Sequence, residues 1–344
     1  SEKGKYYLKG YVGSEYHGNR WEPLDGKEYG EKYEGIFNRY RADGFHPLAQ
    51  LYSYCEAAGR QQNGLKKEEK EGTIVVENTG AYERYQYLPY GVDFSSIQCL
   101  DTLYRDLNLQ KKFWSNREDE KNTYKICMID EDSLLKTAGV DWQKQTITDE
   151  KVRAYADMEM DYRKFVKKHY LALSKKAKEE VAPYVPQKKD NLVSFIEKIR
   201  SSLKNAGKEK GDWDALQYAS LATLAFRAAN IPEGYEAVTS DEKDANGNYR
   251  ADVTGQNAHA WVEIYCDGVG WLPVDVTPGH YDKITVKAKQ QKKIEKQQTS
   301  ISQKVTKKKE KPKQNEAPNK YLSWQQIILW IVICIFAVSF LFAG

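Results

Sequence analysis

The sequence predicts an α+β protein, on three observations made in different parts of the chain. Tyrosine- and glycine-rich segments between turn residues, typical of short strands, fill the first 125 residues. Apolar residues at helical spacing, with charged residues between them, follow from about Asp149 onward. Short strands between Glu233 and Val276 complete the α+β pattern.

Residues 1–145 are predicted to form a β-rich N-terminal module whose composition suggests no chemistry. Three segments read as strands: Tyr6–Tyr16, Thr73–Glu77 and Tyr82–Tyr90. Between them, His46–Gly59 is typical of a short helix that ends at a glycine. His17 and His46 are isolated from other reactive residues, so we interpret both as structural or surface side chains.

Residues 146–282 are predicted to form a second domain that begins with helices. The helices are expected at about Asp149–Ser174, Asp190–Gly207 and Gly211–Ile231. Asp190 is a good N-cap and Gly207 a good stop for the second helix. The third helix carries a stripe of mostly small residues, Ala215, Ala219, Ala222, Phe226 and Ala229. Such a stripe lets a helix lie close against a sheet.

Gly255–Gly279 reads as two antiparallel strands joined by a tight turn at Asp267–Gly268. Alternation places His259 on the face opposite to the apolar residues of the first strand. Because the apolar face is taken as the buried one, His259 is expected to point away from the core. Asp275 on the partner strand is expected close to the His259 imidazole. A carboxylate there would orient the imidazole and stabilise its charged form.

These segments resemble the bacterial transglutaminase-like superfamily. The matching pieces are GD…YASLATLAFRAANIP, within Gly211–Pro232, and NAHAWVEIYCDGVGWLPVDVTPG, which is Asn257–Gly279. The second is the more specific, because a His-Ala-Trp strand, a DGVGW turn and a D-x-T-P-G end occur in order. The resemblance implies a papain-like core of helices packed on a small antiparallel sheet. It also implies a Cys–His–Asp triad in which His259 and Asp275 are the catalytic histidine and aspartate.

The cysteine of that triad is missing. Its position falls at Ala215 when counted back from Ile231-Pro232, and at Trp213 when counted forward from Gly211-Asp212. A helix N-terminus beside an imidazolium favours a thiolate, but neither of these residues can attack an acyl group. Glu233-Gly234 also replaces the Ala-Arg of the family. An acid/base pair of Asp212 or Asp214 with His259 is a further alternative.

No metal site and no cofactor are predicted. The chain contains no CxxC pair and no Cys/His cluster with zinc-ligand spacing. Its cysteines are widely spaced: Cys55, Cys99, Cys127, Cys266 and Cys334. The four before the apolar C-terminal run could form two disulfides, but buried free thiols are the preferred interpretation.

The last 62 residues differ from the rest in charge and hydropathy. Residues 283–321 are interpreted as a disordered basic linker, since Lys287–Lys320 holds 12 lysines against three glutamates. Residues 322–344 are predicted to form one transmembrane helix. Leu322–Ala343 has no charged residue over 22 positions, which in a helix spans roughly 30 Å, the thickness of a bilayer core.

Two functional interpretations follow. The first is a membrane-anchored, extracytoplasmic binding, scaffolding or regulatory module on an inactive transglutaminase-like fold. Its partners would be the lipid bilayer and a cell-wall polymer or a protein or peptide ligand. The second is an active acyltransferase or cysteine-protease-type enzyme with a rearranged nucleophile. A third, weaker option is a regulatory domain of a larger multi-pass membrane protein.

Nucleic acid is excluded as a partner, because the basic residues lie in a polar tail and not on a folded face. The lysines before the span suit a cytoplasmic side by the positive-inside rule. The resemblance implies an extracytoplasmic domain instead, and we follow the resemblance.

Overall fold

The structure is a computed structural model. It describes residues 7–17, 20–24, 33–61, 70–78, 85–97, 102–105, 108–111, 121–128, 135, 140–187, 191–211, 213–231, 233–236 and 258–281. The chain divides into two compact units, Ser1–Ile284 and Thr285–Gly344, and all the described residues lie in the first. The predicted linker at 283–321 and the predicted transmembrane helix at 322–344 lie outside the described residues. Within the described ranges, no helix has both the length and the apolar character needed to cross a membrane.

Helices and short strands alternate irregularly along the described chain. The helices are α1 (Tyr33–Ala42), α2 (Gln50–Arg60), α3 (Glu150–His169), α4 (Lys175–Val181), α5 (Leu192–Lys210) and α6 (Ala215–Ala228). The strands are β1 (Leu8–Lys9), β2 (Glu15–His17), β3 (Arg20–Glu22), β4 (Lys70–Glu77), β5 (Leu88–Pro89), β6 (Thr102–Arg105), β7 (Asn108–Lys111), β8 (Lys121–Met128), β9 (Glu233–Glu236), β10 (Trp261–Cys266) and β11 (Gly270–Val274).

The strands pair into small antiparallel sheets. One sheet has three strands in the order β11-β10-β9, and the other pairs in the described chain are β1–β5, β2–β3, β4–β8 and β6–β7. Helix α6 packs against β9 and β10, while α2 packs against β11 and α3. The predicted mixed α+β class is therefore confirmed, with helices lying on a small antiparallel sheet.

Helix α3 forms where the sequence predicts it. The Asp149 side chain caps the helix by accepting hydrogen bonds from the backbone N–H groups of Lys151 and Val152, at 2.8 and 3.2 Å. These bonds and the Arg60 guanidinium lower the pKa of Asp149. The apolar face of α3 is buried and includes Tyr162. The Tyr162 hydroxyl accepts a hydrogen bond from the Trp271 indole of β11 at 3.0 Å. This face therefore fixes α3 on the sheet.

Helix α5 does not stop at Gly207, as the sequence suggests, but continues to Lys210. Gly211 ends it in a backbone conformation that favours glycine, with φ of 101°. Asn191 is the N-cap, and the predicted cap Asp190 lies outside the described residues. Gly207 serves packing instead, because a Cβ there would lie 2.1 Å from the Tyr218 hydroxyl oxygen of α6.

Gly207→Ala is expected to lower the free energy of unfolding by about 1–3 kcal/mol, since the added methyl group has to displace the buried Tyr218 ring. Chemical denaturation would measure the loss. Gly59→Ala is the matched control: Gly59 lies in α2, and a Cβ there would meet nothing within 4 Å. The control should be neutral or gain about 0.5–1 kcal/mol. Losses of equal size in both variants would contradict the packing role of Gly207.

The N-terminal residues pack directly on the rest of the compact unit. The Trp21 indole donates to the Ser220 hydroxyl of α6 at 2.9 Å, and the Gln50 amide donates to the Tyr265 hydroxyl of β10 at 3.0 Å. The described part of residues 1–145 includes the helices α1 and α2 beside its short strands. The predicted boundary at 145/146 stays a sequence-based division inside one compact unit.

Three of the five cysteines are described, and all three are buried thiols outside disulfides: Cys55, Cys127 and Cys266. This confirms the preferred interpretation for these residues. Cys99 and Cys334 lie outside the described residues. His46 is buried and its Nδ1 accepts from the Leu48 N–H at 3.1 Å, while His17 is exposed, which fits the structural and surface roles expected of them.

Candidate functional site

The site is built on the hairpin of β10 and β11. Its register pairs Val262 with Val274 and Cys266 with Gly270. The turn between the strands requires glycine at Gly268, where φ is 82° and a Cβ would lie 2.0 Å from the Val140 carbonyl oxygen. The register therefore brings the residues just before β10 beside those just after β11.

His259 and Asp275 meet at this open end of the hairpin. The His259 Nε2 and the Asp275 Oδ2 are 2.7 Å apart, which confirms the expected proximity of the two side chains. A carboxylate accepts from an N–H, so we assign the Nε2 as the donor and leave the lone pair on Nδ1. The pair therefore has the orientation that a His–Asp base would need.

The expectation that His259 points away from the core is wrong. His259 is 8% exposed and Asp275 2% exposed. All six residues of β10 are buried, because both faces of the strand are covered. On the His259 face, the Tyr7 ring packs 4.6 Å from the Trp261 ring, and the Trp261 indole donates to the Tyr90 hydroxyl at 2.9 Å. The alternation of the strand was predicted correctly, but the covering N-terminal residues were not.

The Asp275 carboxylate is held from several sides. Its Oδ1 accepts from the Thr277 N–H at 2.9 Å, and its Oδ2 also accepts from the Tyr7 hydroxyl at 3.3 Å. Its backbone carbonyl accepts from the Arg200 guanidinium at 2.8 Å. Arg200 is itself buried and pairs with Glu197 at 2.8 Å. These contacts restrict the carboxylate to the orientation that faces His259.

His280 is a neighbour of the pair that sequence reasoning missed. Its ring stacks on the His259 ring, with centroids 4.3 Å apart and an interplanar angle of 16°. The His280 side chain is exposed, and its backbone N–H donates a hydrogen bond to the Thr277 carbonyl oxygen at 3.1 Å. The signal available in the sequence was its place directly after Thr-Pro-Gly, five residues beyond Asp275.

Tyr281 connects this loop to the start of α6. The Arg200 guanidinium lies over its ring, 4.2 Å from the centroid. Burial raises the pKa of Tyr281, Arg200 lowers it, and Glu197, Asp275 and Tyr218 raise it further. Since Tyr218 belongs to the first turns of α6, that end of the helix and Asp275 lie around the same tyrosine.

The N-terminus of α6 carries a cap and no nucleophile. Ala215 is its first residue and is partly buried. Asp214 accepts from the Gln217 N–H at 2.8 Å, and the Gln217 side chain accepts from the Asp214 N–H at 2.9 Å, which makes a capping box. The Trp213 ring packs 5.4 Å from the Tyr218 ring.

Asp214 therefore serves the helix end, and the alternative acid Asp212 lies outside the described residues.

Residues 149–276 match the family model described as the transglutaminase-like superfamily. The chain carries a transglutaminase-like domain. The matched segment begins at Asp149, the N-cap of α3, and ends one residue after Asp275. It includes Ala215 and both members of the His–Asp pair.

Two solved structures of the periplasmic domain of TgpA from Pseudomonas aeruginosa are similar to this chain. The first is 16% identical, covers 79% of this chain and 82% of its own, and has a TM-score of 0.40. The second, with ethylmercury bound, is 14% identical, covers 79% and 84%, and has a TM-score of 0.30. No curated protein matches the sequence.

Proposed function

We propose that this protein is a membrane-anchored, extracytoplasmic transglutaminase-like protein that does not catalyse acyl transfer and acts as a binding, scaffolding or regulatory module. The observation that carries the proposal is the pairing of an ordered His259–Asp275 dyad with an alanine at the first position of α6. That position is one of the two to which the superfamily resemblance assigns the cysteine. The other is Trp213, which also lacks a nucleophile.

The missing atom is decisive for the chemistry. Covalent acyl transfer needs a side-chain atom that attacks the carbonyl carbon and loses a proton to the base. The methyl group of Ala215 has neither a lone pair nor an acidic proton. The His259 imidazole, however well oriented by Asp275, then has no proton to remove.

The described cysteines do not replace the lost nucleophile. Cys266 lies at the far end of β10, roughly 17 Å along the strand from Trp261. Cys55 lies in α2 and Cys127 in β8, and both are buried. Buried structural cysteines are inert toward substrates that cannot reach them.

Anchoring and location rest on the sequence. The uncharged run Leu322–Ala343 supports a membrane span, and the superfamily resemblance supports an extracytoplasmic domain. The lysines of the linker suit anionic lipid head groups or wall polymers. We therefore propose a peptide or a cell-wall polymer as the ligand of the domain.

The alternative is an enzyme with a rearranged nucleophile, and the ordered His259–Asp275 pair is what favours it. A thiol-directed acyl probe separates the two functions. We expect no labelling of the unmodified protein and no turnover of glutamine or peptide acyl donors. Labelling that disappears in His259→Ala would establish the enzyme and refute the binding module.

Ala215→Cys serves as a companion variant for this experiment. We expect a thiol that reacts with iodoacetamide at the rate of an ordinary cysteine, whose pKa is about 8.5. The Asp214 carboxylate already caps the helix N-terminus beside it and disfavours a second negative charge. A strongly reactive thiol at neutral pH would instead show that a catalytic cleft persists around His259.

A further inference from the structure

Three potential metal ligands converge at the open end of the hairpin. His259, Asp275 and His280 each offer one ligand atom, and these atoms all lie within 4.8 Å of one another. His259 and Asp275 are buried, whereas His280 is exposed. Among the described residues, this is the one group of three or more His, Cys, Asp or Glu side chains whose ligand atoms lie so close together.

We propose that His259, Asp275 and His280 bind a divalent transition-metal ion, with Zn²⁺ as the expected occupant. Two imidazole nitrogens and one carboxylate oxygen form a ligand set that zinc takes in sites with an open coordination position. The site does not depend on the binding role proposed for the domain, nor on any ligand of it.

The spacing suits an ion after a small adjustment. Ligand atoms about 2.0–2.1 Å from a tetrahedral Zn²⁺ lie about 3.3 Å from one another. The His259 Nε2 and Asp275 Oδ2 are 2.7 Å apart, and all the ligand atoms of the group lie within 4.8 Å of one another. Binding through Nε2 requires the His259 proton to move to Nδ1, so that the ion replaces the hydrogen bond between the two side chains. An ion has to lie in the plane of each imidazole, so the stacked His280 ring must turn. Its exposure leaves room for that rotation.

The surroundings hold the two buried ligands in place. Outer partners that fix metal-binding side chains strengthen metal sites, and Asp275 has such partners in the Tyr7 hydroxyl and the Thr277 N–H.

The test uses the full chain in detergent, stripped of metal with a chelator and then titrated with Zn²⁺ by calorimetry. We expect one Zn²⁺ per chain. Co²⁺ should give the visible absorption of a low-coordinate site, and Zn²⁺ should displace it. In NMR spectra, Zn²⁺ should shift the ring protons of both His259 and His280, because the stacked arrangement opens.

His280→Ala is the informative variant, because an exposed side chain can be removed without disturbing the core. It should weaken Zn²⁺ binding at least about 100-fold, at or beyond the upper end of the 10- to 100-fold cost of losing an outer partner. His17→Ala, which removes an exposed histidine elsewhere, should leave binding unchanged. The absence of stoichiometric Zn²⁺ binding, or equal binding by His280→Ala and the unmodified protein, would overturn the site. Labelling of the protein by the acyl probe would refute the proposed binding function and would leave the proposal of a metal site standing.

Discussion

Glu159→Ala is expected to destabilise the protein by about 3–5 kcal/mol, the range for breaking a buried charged network on one side. Glu159 of α3 is fully buried. Its Oε1 accepts from the Gly268 N–H at 2.8 Å and from the Tyr265 hydroxyl at 3.0 Å. Arg163 neutralises it through a two-pronged contact. Alanine would remove the acceptor of the Gly268 N–H and of the Tyr265 hydroxyl, together with both bonds from Arg163.

Urea or guanidinium unfolding, followed by circular dichroism, would measure this loss. Asp157→Ala is the matched control, because Asp157 is an exposed carboxylate on the same helix and should change stability by no more than about 0.5 kcal/mol. Tyr265→Phe should cost about 1–3 kcal/mol, since it removes two hydrogen bonds, one to Glu159 and one from Gln50, each worth about 0.5–1.5 kcal/mol. A loss below 1 kcal/mol in Glu159→Ala would mean that α3 does not anchor the hairpin turn through this residue.

The same contact explains why the site depends on a helix outside the hairpin. Glu159 fixes the turn at Gly268, which joins β10 to β11. His259 and Asp275 lie at the opposite, open end of this hairpin. Burial and the nearby Glu159 carboxylate hold the pKa of Tyr265 well above its usual range. The Tyr265 hydroxyl therefore keeps its proton and remains a donor to Glu159 at neutral pH.

Local patterns explain what could be predicted from the sequence. The Asp149 cap and the spacing of apolar residues in α3 act within a few turns of helix, so they can be read without the rest of the fold. The glycine turn at Gly268 and the two-residue alternation of the strands are local in the same way. Together they gave the hairpin, and with it the proximity of His259 and Asp275.

Long-range packing explains what could not be predicted. The face that His259 shares with Trp261 is covered by residues about 170–250 positions away, including Tyr7 and Tyr90, which contact Trp261. Gly207 does not end α5, because it is the residue that allows the close approach of Tyr218 on the next helix. His259, Asp275 and His280 are up to 21 positions apart in the sequence. The sequence patterns typical of zinc sites contain pairs of ligands only a few residues apart, so they do not include this cluster.

The buried ion pair of Lys9 and Glu263 is a second place where the N-terminal residues stabilise the hairpin. The Lys9 Nζ lies 2.7 Å from the Glu263 Oε1, and the side chains are 8% and 0% exposed. The Tyr90 hydroxyl donates to the same oxygen, while the Glu263 Oε2 has no hydrogen-bond partner among the described residues. Lys9 is therefore the positive charge that offsets the cost of burying this carboxylate.

Lys9→Met is expected to lower the free energy of unfolding by about 3–5 kcal/mol at pH 7, because it keeps the stem volume and leaves a buried carboxylate without its cation. The double variant Lys9→Met/Glu263→Met should recover most of this loss, since removing both charges of a buried pair is often neutral. Equilibrium denaturation of the three proteins at pH 7 checks these expectations. Additive losses in the double variant would show that Lys9 acts by packing alone.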